Sequence, residues 1–178
     1  KKMKRIIVLL LILLSTLLSA ENEIGREKVE FKDKEVEKSL RVSFQRPEGD
    51  IYKDEVEKFK WLTVNNVDIE NLEIIKDFIN IKFLSIGNST INNLAGIEKF
   101  KEFKNLSIIN SNIKDFSRIK KLEEILSIEI ENTKISDISF LKNLKKLRYL
   151  ELENCSITDM NRLYGLNLKS CNIINFVV

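Results

Sequence analysis

The sequence of 178 residues contains no histidine, one proline, five glycines and two cysteines. Histidine is the usual general base and the commonest metal ligand in proteins, so its absence argues against catalysis and against a metal site. The scarcity of proline and glycine excludes a collagen and a long disordered linker, and two cysteines are too few for a disulfide-dense miniprotein. The apolar (43%) and charged (32%) fractions are instead typical of one globular domain with a substantial core.

Residues 1–20 have the layout of a secretory signal peptide. Its positive cluster consists of Lys1, Lys2, Lys4 and Arg5. Residues 6–20 carry no charge, but this run is shorter than the roughly 20 apolar residues that cross a bilayer. Ser19-Ala20 offers a small-residue cleavage site, so we predict cleavage after Ala20 and a secreted or extracytoplasmic protein, with an uncleaved membrane anchor as the alternative.

Cleavage would change the charge of the chain. Without these four cations, 26 Lys and Arg residues face 27 Asp and Glu residues, and the formal charge changes from +3 to −1. The apparent basicity of the sequence therefore belongs to the leader, and we expect no nucleic-acid partner.

A 22-residue repeat organises the rest of the chain. Apolar–x–apolar triplets recur with this constant period, and their first residues are Leu62, Leu84, Leu106, Ile128 and Leu150. A sixth triplet, Leu166-Asn-Leu168, follows at a shorter interval. Further apolar positions keep the same register, and the pattern L-x-x-L-x-L-x-x-(N/C/T/S)-x-I is that of a leucine-rich repeat.

The repeat predicts an α/β leucine-rich-repeat solenoid. Each triplet is a short strand with one face inward, and successive strands stack in parallel on the concave side. The remainder of each repeat is a helical or irregular convex arm. We assign residues 21–58 to an N-terminal segment and cap, and residues 59–178 to five full-length repeats and a short terminal one.

Three polar columns accompany the apolar ones. Nine residues after the first triplet residue stand types that cap helix N-termini and predict a convex turn: Asn71, Asn93, Asp115, Asp137, Asp159 and Asn175. Five residues after it stand small groups that can bond buried backbone: Ser89, Ser111, Thr133, Cys155 and Cys171. Four residues after it stands a run that we interpret as turn-forming, with a binding ladder as the alternative: Asn66, Asn88, Asn110, Asn132 and Asn154.

Both ends of the solenoid need cover. Val36, Leu40 and Phe44 are spaced as one face of a helix over residues 33–44, and Asp54 can cap a second short helix through Phe59. We interpret this block as the N-terminal cap. No comparable block follows residues 172–178, so the terminal repeat is expected to be exposed, and self-association there is one alternative.

Several segments resemble the secreted leucine-rich-repeat proteins of bacteria, with internalin-like 22-residue repeats. They are residues 31–33, 36–41, 47–51 and repeats such as Asn132-Thr-Lys-Ile135-Ser-Asp137-Ile138. The resemblance covers about residues 29–176. It implies a secreted or bacterial-surface protein that binds another protein through the concave face.

The predicted concave face offers one candidate binding site. Side chains one residue before, one after and three after the first triplet residue point outward. The candidate partner-binding residues among them are Trp61, Phe83, Ile109, Glu129, Glu131, Tyr149, Glu151 and Glu153. Exposed aromatics are favoured interface anchors, and clustered carboxylates attract a basic segment, so we hypothesise a basic partner.

Other interpretations of these residues remain open. In one alternative the carboxylates are a solvated strand face, and Trp61 and Phe83 are covered by the cap. Glycosidase chemistry or a cation site would use the same carboxylates. We predict no catalytic residue, no metal and no cofactor, because the pattern supplies no pocket.

The convex arm and the cysteines complete the sequence expectations. The arm collects Lys99, Lys101, Lys104, Lys120, Lys121, Lys142, Lys145, Lys146 and Arg148. Glutamates lie among these cations, so we interpret the arm as a solvated face, with a polyanion or membrane-surface contact as the alternative.

Cys155 and Cys171 share one column of adjacent repeats, and we expect two buried thiols rather than a disulfide.

Overall fold

The computed structural model describes residues 25–174, in which parallel strands stack side by side into a solenoid. In chain order the strands are β1 (Trp61–Asn65), β2 (Asp68–Ile69), β3 (Phe83–Gly87), β4 (Thr90–Asn93), β5 (Asn105–Ile109), β6 (Asn112–Asp115), β7 (Ser127–Glu131), β8 (Tyr149–Glu153) and β9 (Ser170–Ile174). One sheet has the order β1-β3-β5-β7-β8-β9, and a smaller one has the order β2-β4-β6. The predicted leucine-rich-repeat solenoid is confirmed.

The 22-residue register holds from β1 to β8. Leu62 pairs with Leu84, which pairs with Leu106, and the same step continues to Leu150. The alternate side chains of these strands are buried, and the core positions are Leu62, Val64, Leu84, Ile86, Leu106, Ile108, Ile128, Ile130, Leu150 and Leu152. Because no repeat can bury its apolar face alone, this continuous core depends on contact between neighbours.

The asparagine column forms turns, as predicted. Asn66, Asn88, Asn110, Asn132 and Asn154 have left-handed backbones with φ between 48° and 58°. Asparagine tolerates this conformation better than most residues, because its short polar side chain bonds locally. Strands β1, β3, β5, β7 and β8 therefore end in the same turn.

A ladder of buried hydroxyl groups follows the asparagines. The Ser89, Ser111 and Thr133 hydroxyls each donate to the carbonyl two residues earlier, at 2.7–2.9 Å. They also accept the N–H groups of Val67, Ser89 and Ser111 respectively, at 3.2 Å. This confirms for Ser89, Ser111 and Thr133 that the column bonds buried backbone where the chain leaves the strand.

Replacing Thr133 by valine is expected to lower the free energy of unfolding by about 1–3 kcal/mol. The change keeps the side-chain shape but leaves the buried N–H of Ser111 without its acceptor. Valine fits this column, since Val67 occupies it in the first repeat. The control Thr133→Ser keeps the hydroxyl and should lose only about 0.8 kcal/mol for one methyl group. Urea unfolding followed by circular dichroism checks both, and equal losses would contradict the role of the hydroxyl.

The predicted capping column begins the convex turns. Short 3₁₀ helices cover Leu72–Ile75, Ile97–Lys99, Ser117–Lys121, Ser139–Asn143 and Met160–Leu163. The side-chain oxygens of the column accept the N–H two residues later at 2.7–3.0 Å, from Asn71, Asn93, Asp115, Asp137 and Asp159. The prediction is confirmed for these residues, and Asn175 lies outside the described range.

Replacing Asp137 by alanine is expected to lower the free energy of unfolding by about 0.5–2 kcal/mol at neutral pH. Asp137 accepts the N–H and the hydroxyl of Ser139 at 2.8 and 3.0 Å, and these bonds lower its pKa. Its contribution is thus present above the carboxyl pKa of the unfolded chain and is lost as the pH falls through the lower folded value. The control Asp137→Asn keeps the acceptor, as Asn71 and Asn93 do. Chemical unfolding at several pH values should show a pH-dependent gap between wild type and alanine variant, and a gap constant into acid would contradict it.

The N-terminal block covers the first repeat. Helix α1 (Lys34–Phe44) is capped by Asp33 and buries Val36 and Leu40, as its spacing predicts. It docks on β1, since the Ser43 hydroxyl donates to the Thr63 carbonyl at 2.8 Å. This position is that of the expected cap.

The second helix differs from the prediction. Helix α2 spans Lys53–Val56 rather than residues 54–59, and Asp54 does not cap it. The reason is local: Glu55 accepts the N–H of Tyr52 at 3.0 Å, while Asp54 faces outward to an ion pair with Arg26 at 2.8 Å.

The register of the last repeat is also corrected. Leu150 pairs with Cys171 rather than with Leu166, so the final step is one position shorter than the others and the strand is β9. The outward residues there are therefore Ser170, Asn172 and Ile174. Cys171 lies in the strand column rather than beside Cys155, and it is exposed while Cys155 is buried. The expectation of two buried thiols is wrong for Cys171; both cysteines are free.

The predicted signal peptide, residues 1–20, lies outside the described residues, as do residues 175–178. Among residues 25–174 no helix has the length and apolar character needed to span a bilayer.

Candidate functional site

The outward side of the large sheet, which we call the sheet face, brings the candidate residues together in two groups. The strands hold them in place because the inward side chains of the same strands are locked in the core. Glu129 and Glu131 lie on β7 directly beside Glu151 and Glu153 on β8. At the other end of the sheet, Trp61 on β1 lies beside Phe83 on β3.

Four carboxylates form an acidic patch made of two pairs of facing glutamates. Glu129 pairs in register with Glu151, and Glu131 with Glu153. Neighbouring strands lie about 4.8 Å apart, so the two glutamates of each pair are close together. Like charges that face each other in this way destabilise a sheet. All four residues are half-buried, so solvent screens their repulsion only in part.

No cation of the described chain neutralises the acidic patch. None of its four glutamates forms an ion pair within residues 25–174. Their polar neighbours are amides: Asn172 donates to Glu151 at 3.0 Å and Asn132 to Glu131 at 2.8 Å. The acidic patch therefore carries negative charge that no ion pair within residues 25–174 balances.

Carboxylates on the convex side are arranged differently. Glu102 binds Lys60 and Lys82 at 3.4 and 3.2 Å, and the bond from Lys82 lowers the pKa of Glu102. Glu124 is bridged by two further lysines, with the same effect on its pKa. The chain thus pairs these acids on the convex side and leaves those of the sheet face unpaired.

Two aromatic side chains project from the sheet face. Trp61 is 73% exposed and Tyr149 is 48% exposed. The cap therefore does not cover Trp61, and the interpretation that it does is wrong for this residue. Phe83 is half-buried beside Trp61, and Ile109 on β5 is half-buried between the two groups. Four strand spacings, about 19 Å, separate Trp61 on β1 from Tyr149 on β8.

Asn172 is a neighbour of the acidic patch that the sequence pattern missed. The predicted register placed Asn167 on the outward side of the last repeat, whereas β9 places Asn172 beside Glu151. A column of basic residues in the sequence would have indicated the correct register of the last repeat. Lys60, Lys82, Lys104, Arg148 and Lys169 each stand directly before a strand of the large sheet.

Two alternative interpretations are a cation site on the carboxylates and a polyanion or membrane contact on the convex arm. Within the described part of the chain, no group of three or more acidic or cysteine side chains is placed to hold a metal ion. On the convex arm, Lys99, Lys104, Lys121 and Lys146 bind glutamates in ion pairs. These four lysines therefore lie on a solvated face where they pair with glutamates.

Comparisons with known proteins show the fold. No protein-family model and no curated protein matches the chain. The crystal structure of an internalin (InlF) from Listeria monocytogenes has a TM-score of 0.69 and 23% sequence identity over 86% of this chain. An internalin C2 from the same organism has a TM-score of 0.44 and 15% identity over 84% of this chain and 98% of its own length.

The chain spans 47% of the length of the first of these structures. At this identity the likeness concerns the leucine-rich-repeat fold, with its parallel strands stacked in one sheet.

Proposed function

We propose that the protein is a secreted or surface-exposed, non-enzymatic module that binds a protein partner on its sheet face. The observation that carries the proposal is the acidic patch, in which facing glutamates on β7 and β8 lack any ion pair within the described residues. A basic segment of a partner would supply the missing cations. The likeness to an internalin fold is consistent with a protein-binding role, and residues 1–20 favour export.

The energetics of the patch support a binding role. Facing like charges on neighbouring strands destabilise a sheet by about 0.2–1 kcal/mol for each pair. A partner that brings lysine or arginine would convert this repulsion into attraction and would also be steered toward the face before contact. Trp61 and Tyr149 add amphipathic contact area at the two ends of the same surface.

Cross-linking is the experiment that tests the sheet face. A photoreactive amino acid at position 149 should capture a partner from the natural environment, whereas the same amino acid at position 101 on the convex arm should capture little of it. Mass spectrometry then identifies the partner and the cross-linked segment. A segment without lysine or arginine would contradict the basic-partner hypothesis, and equal capture from both positions would contradict the sheet face.

Neutralising the acidic patch is expected to separate binding from stability. The double variant Glu129→Gln and Glu151→Gln should weaken binding of the purified partner by roughly tenfold, as two ion pairs are lost. The same variant should unfold at an equal or higher denaturant concentration, because one repulsive pair is removed. Calorimetric titration and urea unfolding measure the two quantities.

A matched control for these changes lies on other surfaces. Glu48 and Glu123 are exposed, and the structure gives them no ion pair among the described residues. The double variant Glu48→Gln and Glu123→Gln changes the net charge equally and should leave the affinity unchanged. Equal loss of affinity in both double variants would leave the acidic patch without a specific role.

A second candidate function is self-association at β9. The inward residues of β9 are less covered than their counterparts: Cys171 is exposed and Ile173 half-buried, whereas Leu150 and Leu152 are buried. Among residues 25–174, β9 is also an edge of the six-stranded sheet, and unpaired edges are templates for strand pairing. Light scattering over a range of concentrations tests this, and a strict monomer would exclude it.

A further inference from the structure

The middle of the sheet face is lower than its two sides. On β3 and β5 the central outward positions hold Ser85, Gly87 and Ser107, whose side chains are small or absent. Ser85 is half-buried, while Gly87 and Ser107 are buried. We call the depression over these three residues the central trough.

Asn65 shows why glycine is needed in the central trough. A Cβ built on Gly87 would clash with the side-chain oxygen of Asn65, the residue that pairs with Gly87 from β1. Asn65 therefore lies across the glycine instead of projecting from the sheet. The floor of the central trough stays low at this point as well.

Two chemically different walls flank the central trough. On the β1 side stands Trp61, which is 73% exposed. On the β7 side stand Glu129 and Glu131, with the rest of the acidic patch behind them on β8. Because β1 and β7 are three strand spacings apart, the walls are about 14 Å from each other. An α-helix with its side chains is roughly 10–12 Å across, so one helix fits between them.

The backbone of the sheet also favours a helix over an extended segment in the central trough. Strands β3 and β5 each pair with a strand on both sides, so the floor presents only side chains to a partner. An extended segment laid on this floor would lose water from its own backbone groups without gaining partners for them. A helix bonds its own backbone and avoids that cost.

The apolar residues of the floor have a spacing that one face of a helix can match. Phe83 pairs with Asn105, which lies four residues before Ile109. Along the strands, Phe83 and Ile109 are therefore about 13 Å apart. Helix residues seven or eight positions apart lie on one face at about 10–12 Å. Two apolar side chains of one helix face can thus contact both residues.

The acidic wall matches a second stripe on the same helix. Glu129 and Glu131 are about 6.6 Å apart along β7, and helix residues at i and i+4 are about 6 Å apart. Two cationic side chains with that spacing can each bind one glutamate. Neither glutamate has an ion-pair partner among residues 25–174 that would compete.

We propose that the central trough binds an amphipathic, basic helix of the partner protein, with the helix axis along the strands. The inference rests on the function proposed above, in which the sheet face binds a protein, and it specifies the form of the bound segment. The apolar stripe of the helix lies on Phe83 and Ile109. Its lysine or arginine stripe faces Glu129 and Glu131, and Trp61 packs against its other side.

Synthetic peptides test the form of the partner on the whole protein. The probe is a peptide of about 18 residues with leucines on one helical face and lysines at i and i+4 beside them, held helical by lactam bridges. One control is an equally bridged helix of the same composition with its lysines spread around the axis. The other has the probe sequence with a central proline and no bridges, so that it is not helical.

Fluorescence anisotropy should show that the probe binds roughly tenfold more tightly than either control, with an affinity that falls as salt is added. A probe that binds no better than the controls overturns the proposal. The function proposed above would survive that result if cross-linking at position 149 still captured a basic segment. The two failures are therefore distinguishable.

Filling the central trough locates the bound helix. Ser85→Tyr raises the floor and leaves the acidic patch intact, so the affinity for the probe should fall by roughly tenfold or more. The control Ser170→Tyr adds the same side chain at an exposed position of β9, outside the trough, and should retain the affinity. Equal affinities of these two variants overturn the assignment to the trough.

Trp61→Ala tests the opposite wall at a side chain too exposed to support the fold. It should weaken binding of the probe by about tenfold, since an aromatic anchor is lost. An unchanged affinity would overturn the proposed placement of the helix. Circular dichroism confirms that each of the three variants is folded.

Discussion

Replacing Gly96 by alanine is expected to lower the free energy of unfolding by roughly 2–5 kcal/mol, as the sum of backbone strain and a steric clash. Gly96 has a φ of 101°, which residues with a Cβ rarely adopt. A Cβ built there would lie 2.8 Å from the backbone nitrogen of Glu73 and from the carbonyl carbon of Leu72. Since both are backbone atoms of the preceding repeat, the clash cannot be relieved by rotating a side chain. Urea unfolding measures the loss.

Two other glycines separate the clash from the strain. Gly49 and Gly165 also have positive φ, 87° and 81°, but nothing lies within 4 Å of a Cβ built on either. Alanine at these positions should lower the free energy of unfolding by about 1–2 kcal/mol, the conformational part alone. If Gly96→Ala were no worse than these controls, the contact between successive repeats would be looser than the structure shows.

The regular part of the fold could be predicted from the sequence because one geometry is used again in every repeat. A position that needs a particular residue type in one repeat needs it in the others as well. The left-handed turn at Asn66 and its counterparts therefore appears in the sequence as a column of asparagines. The hydroxyls of Ser89, Ser111 and Thr133 are visible for the same reason. Repetition replaces the comparison of related sequences, since each repeat is compared with its neighbours.

The last repeat was mispredicted because there the pattern and the geometry disagree. Leu166-Asn-Leu168 matches the apolar triplet better than Cys171-Asn-Ile173 does, but a strand must also pair with its neighbour. At the start of each strand of the large sheet after β1, two successive N–H groups donate to one carbonyl, as Lys104 and Asn105 do to Lys82. Lys169 and Ser170 do the same to Arg148, at 2.7 and 3.1 Å, and this fixes β9. Backbone bonding of this kind leaves almost no mark on side-chain type.

The acidic patch could also be predicted from the sequence. Strand alternation predicts that Glu129 and Glu151 face outward together, and the structure places them side by side. The end of the smaller sheet could not be predicted, because it depends on residues 134–137 not pairing with β6. Lys134-Ile-Ser-Asp137 has the same apolar–polar pattern as the paired segment Asn112-Ile-Lys-Asp115. Nothing in the sequence pattern distinguishes the paired segment from the unpaired one.

Replacing Phe78 by alanine is expected to lower the free energy of unfolding by about 3–5 kcal/mol and to loosen the cap selectively. Phe78 is fully buried, and its ring stacks on Phe44 of α1 with centroids 5.5 Å apart and contacts Phe59 at 6.5 Å. It therefore joins the cap to the first repeat. In a solenoid, stability is approximately the sum of single-repeat terms and interfaces between neighbours, so losing one interface should free one side of it first.

Hydrogen exchange distinguishes this selective loosening from a uniform loss of stability. In Phe78→Ala the amides of α1 should exchange faster relative to those of β7 than they do in the wild-type protein. The control is Phe140→Ala, which removes a ring stacked on Phe116 at 6.4 Å and distant in sequence from the cap. It should lower stability by a similar amount, about 3–5 kcal/mol, without favouring exchange in α1. If both variants released α1 equally, the cap and the repeats would unfold as one cooperative unit.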